Sequence, residues 1–285
     1  FRNNQLIFGL IRTIIKHPAS MRITSLQNEA IKNIVKLRDK SSERRIQNLF
    51  IIEGAREIRL AFESGFEIKQ FFYASEKAEY YIREFDYRKN IPDQKRIEIS
   101  EAVYKKIATR EGTEGMIALA VPTSVSLSDL KLDRNPLLVV LEGVEKPGNL
   151  GAILRTADAA GVDAVIICDA QTDFYNPNVI RSSVGCVFSL PTVSCRRDEL
   201  IGFLKKNNIF MFVAELKASV SYHTADFTKP TALIFGTEAD GLSDEMIKAS
   251  DHRIIIPMSG RIDSMNVSAS AAVIIFEAKR QRGFK

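Results

Sequence analysis

Three loops in this 285-residue chain set polar, chemistry-capable side chains beside glycines, each directly after an apolar run. The first is Glu142-Gly143-Val144-Glu145-Lys146-Pro147-Gly148-Asn149-Leu150-Gly151, which places backbone N–H groups and Asn149 where an anion could dock at the opening of a helix. Six residues beyond Asn149, Arg155 lies in the small, apolar stretch Ala152 to Ala157 and needs a partner, either a carboxylate such as Asp158 or Glu142 or a ligand. The second loop, Phe235 to Leu242, holds Glu238 between Gly236 and Gly241, two residues that let backbone approach a ligand closely. Glu238 reads equally as a ligand contact or as a helix-start carboxylate near Ser243. The third loop, Ile256 to Ser268, contains Ser264 and Asn266, which on their own read as helix caps. Neither the G-x-G-x-x-G pattern of dinucleotide sites nor a Walker lysine motif is present, so taken singly the loops identify no chemistry.

The elements that must position these loops are legible from hydrophobic patterning. Leu137 to Leu141, Ala164 to Cys168, Ile209 to Ala214, Thr231 to Phe235 and Arg253 to Ile256 read as buried strands. Leu150 to Ala160, Asp198 to Asn207, Ser243 to Ala249 and Val267 to Gln281 read as helices between and after them. Strands and helices in alternation imply an α/β fold with a parallel sheet covered on both faces, with ligands at the carboxyl ends of the strands. Upstream, Leu26, Ile31, Ile34, Val35 and Leu37 recur at helical spacing, and Leu49 to Ile52 and Gln70 to Tyr73 read as strands of a smaller α/β domain. A Pro-, Thr-, Ser- and Asp-bearing stretch separates the two. The expected organisation is an extension over 1–21, a small domain over 22–120, a linker over 121–136 and the larger domain over 137–285.

Taken together and in order, the three loops resemble the SpoU (TrmH-like) branch of the SPOUT methyltransferases. The resemblance rests on Asn149-Leu150-Gly151-Ala152-Ile153-Leu154-Arg155-Thr156-Ala157, on Gly236-Thr237-Glu238-Ala239-Asp240-Gly241-Leu242, and on Ile256-Pro257-Met258 with Ser264-Met265-Asn266-Val267-Ser268. It covers roughly residues 137 to 281. A looser similarity at Ile51-Ile52-Glu53-Gly54 makes residues 22–120 resemble that family's ribosomal-protein-like RNA-binding domain. The resemblance implies a trefoil knot in the C-terminal domain, S-adenosylmethionine as cofactor, and methylation of a ribose 2′-oxygen in structured RNA, ribosomal or transfer. It puts cofactor contacts on Gly236, Gly241, Ile256, Met258 and Met265, and catalytic or RNA-contacting side chains on Asn149, Arg155, Glu238, Ser264 and Asn266. Arg181, in Asn178 to Gly185, resembles a further family segment or serves structure. The chain departs from the family pattern at Lys146, where Asp is frequent, at Met265 for Leu, and at Ala239-Asp240. Asp240 adds negative charge on the expected RNA approach. The alternatives are a catalytically inactive RNA-binding protein of the same fold and a nucleotide-binding α/β enzyme of another class.

Methyl transfer from a sulfonium needs the accepting oxygen held about 3 Å from the methyl carbon, so positioning supplies much of the rate. The resemblance offers Arg155 as general base, yet a guanidinium stays protonated, its pKa above about 12. Arg155 is therefore expected to orient the hydroxyl and stabilise developing alkoxide, with the base unassigned. Gly236 is expected to exclude any β-carbon because that carbon would enter cofactor space.

Charge and composition agree with this reading. The net charge of +5 is unevenly spread, with twelve Lys or Arg against five Asp or Glu in residues 1–60. A basic N-terminal third suits a polyanion, although Arg38, Lys40, Arg44 and Arg45 also read as a solvated helix face. Three cysteines with no C-x-x-C spacing and three scattered histidines give no zinc-ligand grouping, so a reducing cytoplasm and no metal are expected. No apolar run is long enough for a transmembrane helix. Residues 1–20 read as an upstream extension or amphipathic leader, with Met21 as a natural start. The last helix, with Val273, Ile274 and Phe276 among alanines, offers a surface for a homodimer or for covering its own sheet.

Overall fold

The computed structural model describes residues 22–84, 91–109, 114–169, 173–218, 220–238 and 240–284; residues 1–21, expected as an extension or leader, lie outside them. The chain divides into two compact units, residues up to 58 with 67–121, and residues 59–66 with 122–285.

The first unit carries β1 (Arg22–Ile23), α1 (Glu29–Asp39), α2 (Ser41–Gln47), β2 (Phe50–Glu53), the start of α3 (Ala55–Glu63), β3 (Ile68–Tyr73), α4 (Ser75–Glu84), β4 (Arg96–Ile99), α5 (Glu101–Ile107) and β5 (Met116–Ala120). Its five strands lie in the order β1-β4-β3-β5-β2, with β5 antiparallel to both neighbours. α1 begins where Asn28 accepts a hydrogen bond from Ala30 N, and it buries Ile31, Ile34 and Leu37, the residues whose spacing predicts the helix.

The basic face expected here divides in two. Arg44 is 4% exposed and donates to the carbonyls of Leu37 and Arg38, and Arg38 donates to the carbonyls of Lys106 and Ala108. Those guanidiniums satisfy backbone carbonyls, while Lys40 and Arg45 remain exposed.

The second unit is built on β6 (Leu137–Glu142), α6 (Pro147–Ala160), β7 (Ala164–Cys168), α7 (Pro177–Ser182), α8 (Cys186–Ser189), β8 (Thr192–Cys195), α9 (Arg197–Lys206), β9 (Phe210–Ala214), β10 (Val220–Ser221), β11 (Thr231–Phe235), α10 (Asp244–Ala249), β12 (His252–Ile255) and α11 (Val267–Gln281). Every pairing in its sheet is parallel, in the order β10-β12-β9-β11-β6-β7-β8. β6, β7 and β11 are buried along their whole length, as expected of runs covered on both faces. The sequence pattern missed β8, β10, α7 and α8. Each is too short to show a period, and β8 and β10 are the edge strands.

The stretch expected as a linker is part of this unit's packing. Leu127, Leu130 and Leu132 lie against its core, and a capping box between Ser126 and Asp129 closes a short 3₁₀ turn there.

α6 is set by local chemistry. Pro147 occupies its first turn, where no N–H is missed, and Gly161 ends it in the left-handed region at φ 63°. Gly151 is fixed by packing: a β-carbon there would sit 1.9 Å from Ser182 Oγ, at the end of α7, and 2.7 Å from the N of Ser183, which caps that helix.

Candidate functional site

The carboxyl ends of β6, β11 and β12 deliver the three loops to one place. Asn149 is in the first turn of α6, Glu238 follows β11, and Asn266 is the N-cap of α11. The Asn149 side-chain amide donates to Glu238 Oε1 at 2.5 Å, and the Asn266 amide donates to the same oxygen at 2.9 Å and to Asn149 Oδ1 at 3.2 Å. The other Glu238 oxygen accepts from the Lys146 ammonium. That ammonium, with the Asn149 amide, holds the Glu238 carboxyl below the usual carboxylate range. Glu238 is therefore a charged hub and takes no part in capping α10, where Ser243 accepts from Met246 N. Asn266 fills both of its expected roles, since its Oδ1 also accepts from Ser268 N.

A crevice of about 710 Å³ opens beside this hub. Gly236, Gly241 and Glu238 line it from the second loop, and Ile256, Met258, Ser264, Met265 and Asn266 from the third. Phe235, Leu242, Ile254 and Ile274 add apolar wall. A smaller cavity of about 120 Å³, lined by Lys146, Asn149, Glu238, Asp240 and Val267 among others, shares Glu238 and Asp240 with it. The larger volume is within the range of small-molecule sites, and its lining sets apolar wall beside charged and hydroxyl side chains, including Glu215, Lys217, Glu238, Asp244 and Ser264. Among the described residues, Ser264 Oγ has one hydrogen bond, to Asp263, and faces the crevice.

The Gly236 expectation needs a different reason. A β-carbon on Gly236 would lie 2.2 Å from the carbonyl carbon and oxygen of Gly241 and 2.6 Å from Leu242 N. The loop folds back on itself there, with Thr237 N donating to Gly241 O at 2.9 Å and Gly241 N to Thr237 O at 3.2 Å. The glycine makes the loop's own closure possible, and the loop backbone by itself already excludes a side chain there.

Arg155 is not brought to the hub. It lies six residues along α6 from Asn149, roughly 9 Å in axial rise and 240° in rotation, and it lines neither cavity. It is exposed, and among the described residues it pairs with neither of the carboxylates expected of it. Asp158 accepts from Ser189 Oγ, and Glu142 is taken by other groups. Arg181 is likewise exposed on α7.

Glu142, 5% exposed at the end of β6, anchors a second polar cluster that sequence reasoning missed. Arg197 Nε donates to Glu142 Oε1 at 2.6 Å, and the same guanidinium pairs with Asp169 and Glu245. Ser243 donates to Glu142 through its N–H at 2.9 Å and its hydroxyl at 2.7 Å, which ties the far end of the Gly236–Leu242 loop to β6. These carboxylates raise the Arg197 pKa above its usual value. Cys168 adjoins them, so Glu142, Cys168 and Asp169 form a grouping of metal-capable atoms within 4.8 Å that spacing alone did not reveal. The Arg197 guanidinium supplies the positive charge to both carboxylates there. Burial pushes the Cys168 and Cys195 thiols up to about 12, which keeps them protonated and unreactive at neutral pH.

The hub's only sequence signal was its three loops read jointly. Lys146 stood out as a departure from the family pattern, but nothing in the sequence tied it to Glu238, ninety-two residues away.

Comparison with known proteins gives a consistent result. The signature of the SpoU rRNA Methylase family matches residues 136–276, and that of the MRM3-like substrate binding domain matches residues 28–118. A 23S rRNA (guanosine-2′-O-)-methyltransferase of Pseudomonas syringae is 34% identical over 68% of this chain and 82% of its own length. Among solved structures, an RNA 2′-O ribose methyltransferase superposes with a TM-score of 0.80 at 38% identity, over 92% of this chain and 99% of that one. An AdoMet-bound rRNA methyltransferase from Sinorhizobium meliloti superposes with a TM-score of 0.81 at 29% identity, over 91% of this chain and 97% of that one.

Proposed function

The chain belongs to the SpoU rRNA methylase family, and from that premise we infer that it is an S-adenosylmethionine-dependent methyltransferase acting on a ribose 2′-oxygen of ribosomal RNA. The observation that carries the reading to particular residues is the convergence of Asn149, Glu238 and Asn266, from three separate strand-end loops, at the edge of one crevice.

The crevice fits the cofactor by chemistry as well as volume. Its glycine-bearing loop and the apolar side chains of Ile256, Met258 and Met265 would hold the nucleoside part, and the carboxylates among its lining residues, Glu238 included, suit a cationic group. When bound, the cofactor supplies an electrophilic methyl group. The chain's own residues do the rest. Glu238 fixes the Asn149 and Asn266 amides, so two neutral donors are already oriented before RNA arrives, and little reorganisation is left for the reacting complex. Ser264 offers a hydroxyl on the crevice side. Arg155, exposed and without a carboxylate partner among the described residues, is the cation assigned to the developing alkoxide or to a neighbouring phosphate. Because it lies off the hub on its own chain, this assignment goes with a homodimer in which a second copy's surface completes the site. Phe276, 43% exposed on α11 while Ile274 and Ile275 are buried, is the apolar side chain left for such a contact. The first unit, with exposed Lys40 and Arg45, is assigned to holding the RNA. The family's trefoil knot, its cytoplasmic location and the independence from metal belong to the same proposal. No helix among the described residues is long and apolar enough to cross a membrane.

The test is transfer of a labelled methyl group to undermodified ribosomal RNA, with the product nucleotide mapped. Label on a ribose supports the reading; the inactive RNA-binding alternative predicts cofactor-independent RNA binding and no label.

A further inference from the structure

Lys146 stands where the family pattern frequently has Asp, and the Glu238 ion pair makes that departure part of the site. Its backbone is held firmly: the Lys146 carbonyl accepts from Asn149 N and Leu150 N, both at 3.1 Å, as the N-cap of α6. Its side chain, 71% exposed, reaches Glu238 on the following loop. The three donors around Glu238 divide its carboxylate, with both amides on Oε1 and the ammonium on Oε2. An aspartate at position 146 would repel Glu238 instead of holding it.

The surrounding charges make the ammonium matter. Glu145 and Asp240 line the small cavity with Glu238, and Glu215, Lys217 and Asp244 line the larger one. Against four other carboxylates, Lys146 is the cation in contact with Glu238. Without it, the two neutral amides on Oε1 are left alone to hold the carboxylate and to oppose its protonation, and a protonated Glu238 accepts only one of the two amides well.

Resting on the methyltransferase reading, we propose that Lys146 is a positioning residue for methyl transfer in this chain, acting through Glu238 to keep Oε1 aimed at Asn149 and Asn266. The lowered Glu238 pKa agrees with this. With Lys146 on Oε2, the carboxylate keeps its charge and keeps Oε1 on the two amides to lower pH than in a relative lacking the lysine.

The experiment measures methyl transfer to ribosomal RNA against pH for the full-length protein and for Lys146→Ala, Lys146→Met and Lys146→Arg, with cofactor affinity by calorimetry. Lys146→Ala and Lys146→Met are expected to lower kcat about tenfold, the scale of one lost charged hydrogen bond. Cofactor affinity should stay within about twofold, and the acid limb of the profile should move to higher pH. Lys146→Arg should restore both. In a Glu238→Gln background the identity of residue 146 should cease to matter. An acid limb that does not move, or that moves equally with Gln at position 238, overturns the proposal. An unmodified protein that transfers no methyl group defeats the methyltransferase reading instead, so the two failures are told apart.

Discussion

Asn149 and Asn266, 117 positions apart in the chain, donate their side-chain amides to the same oxygen of Glu238, at 2.5 and 2.9 Å. A β6–α6 loop and the entrance to α11 are thereby joined at the rim of the crevice, with the carboxylate as the shared acceptor.

Replacing that acceptor should separate catalysis from folding. Glu238 is partly exposed and its partners sit at the surface, so Glu238→Gln is expected to leave the melting temperature nearly unchanged. Turnover should fall by roughly a hundredfold, as when an oriented transition-state donor is lost. Melting curves and single-turnover rates on the same preparations check this; an active, stable Gln variant would remove the hub from the mechanism.

pH acts on the same group. The Glu238 pKa is lowered, so its charged contacts are present above the unfolded carboxylate value and are lost as pH falls through the lower folded value. Activity governed by Glu238 should therefore persist below the ordinary carboxylate range at the acid end, read from kcat against pH with the RNA held intact.

Gly236→Ala is expected to damage fold and site together, because its β-carbon meets loop backbone at 2.2 Å. A lower melting temperature accompanied by weaker cofactor binding is the predicted pair of results. A loss of cofactor affinity with unchanged melting would restore the view that the glycine only makes room for ligand.

Arg197→Met should cost stability, since it strips the counterion from buried Glu142 and from Asp169. Breaking such a pair costs about 3 kcal/mol at the low end of the usual range, a size readable by denaturant titration. The loop that ends at Ser243 should loosen with it, which cofactor calorimetry would register as reduced affinity.

In the first unit, Lys40→Ala and Arg45→Ala are expected to weaken RNA binding and to flatten its salt dependence by up to about one unit of slope each. Arg44→Ala should instead lower stability, because its guanidinium serves the carbonyls of Leu37 and Arg38. RNA titrations at several salt concentrations, with melting curves, distinguish the two behaviours.

These outcomes also mark what the sequence could reveal. Long buried runs such as Leu137 to Leu141 and Thr231 to Phe235 announced their strands because apolar continuity is a local property. The three loops disclosed a family because their order is a property of the whole chain. What stayed hidden depends on distant partners: Arg44 turning inward, Arg197 joining three carboxylates, Lys146 meeting Glu238, and Gly236 yielding to Gly241. Spacing cannot encode such contacts, since each pairs residues from different elements or from the two sides of a folded loop.

The central claim, transfer of a methyl group to a ribose 2′-oxygen, is tested most directly on a pair of RNAs. Once the labelled nucleotide has been mapped, the same ribosomal RNA fragment is prepared with that nucleotide in ribo and 2′-deoxy form. Each is incubated with the protein and labelled S-adenosylmethionine. The account predicts methylation of the ribo form and none at that position in the deoxy form. Equal methylation of the deoxy form at the same nucleotide would place the acceptor on the base and contradict the account.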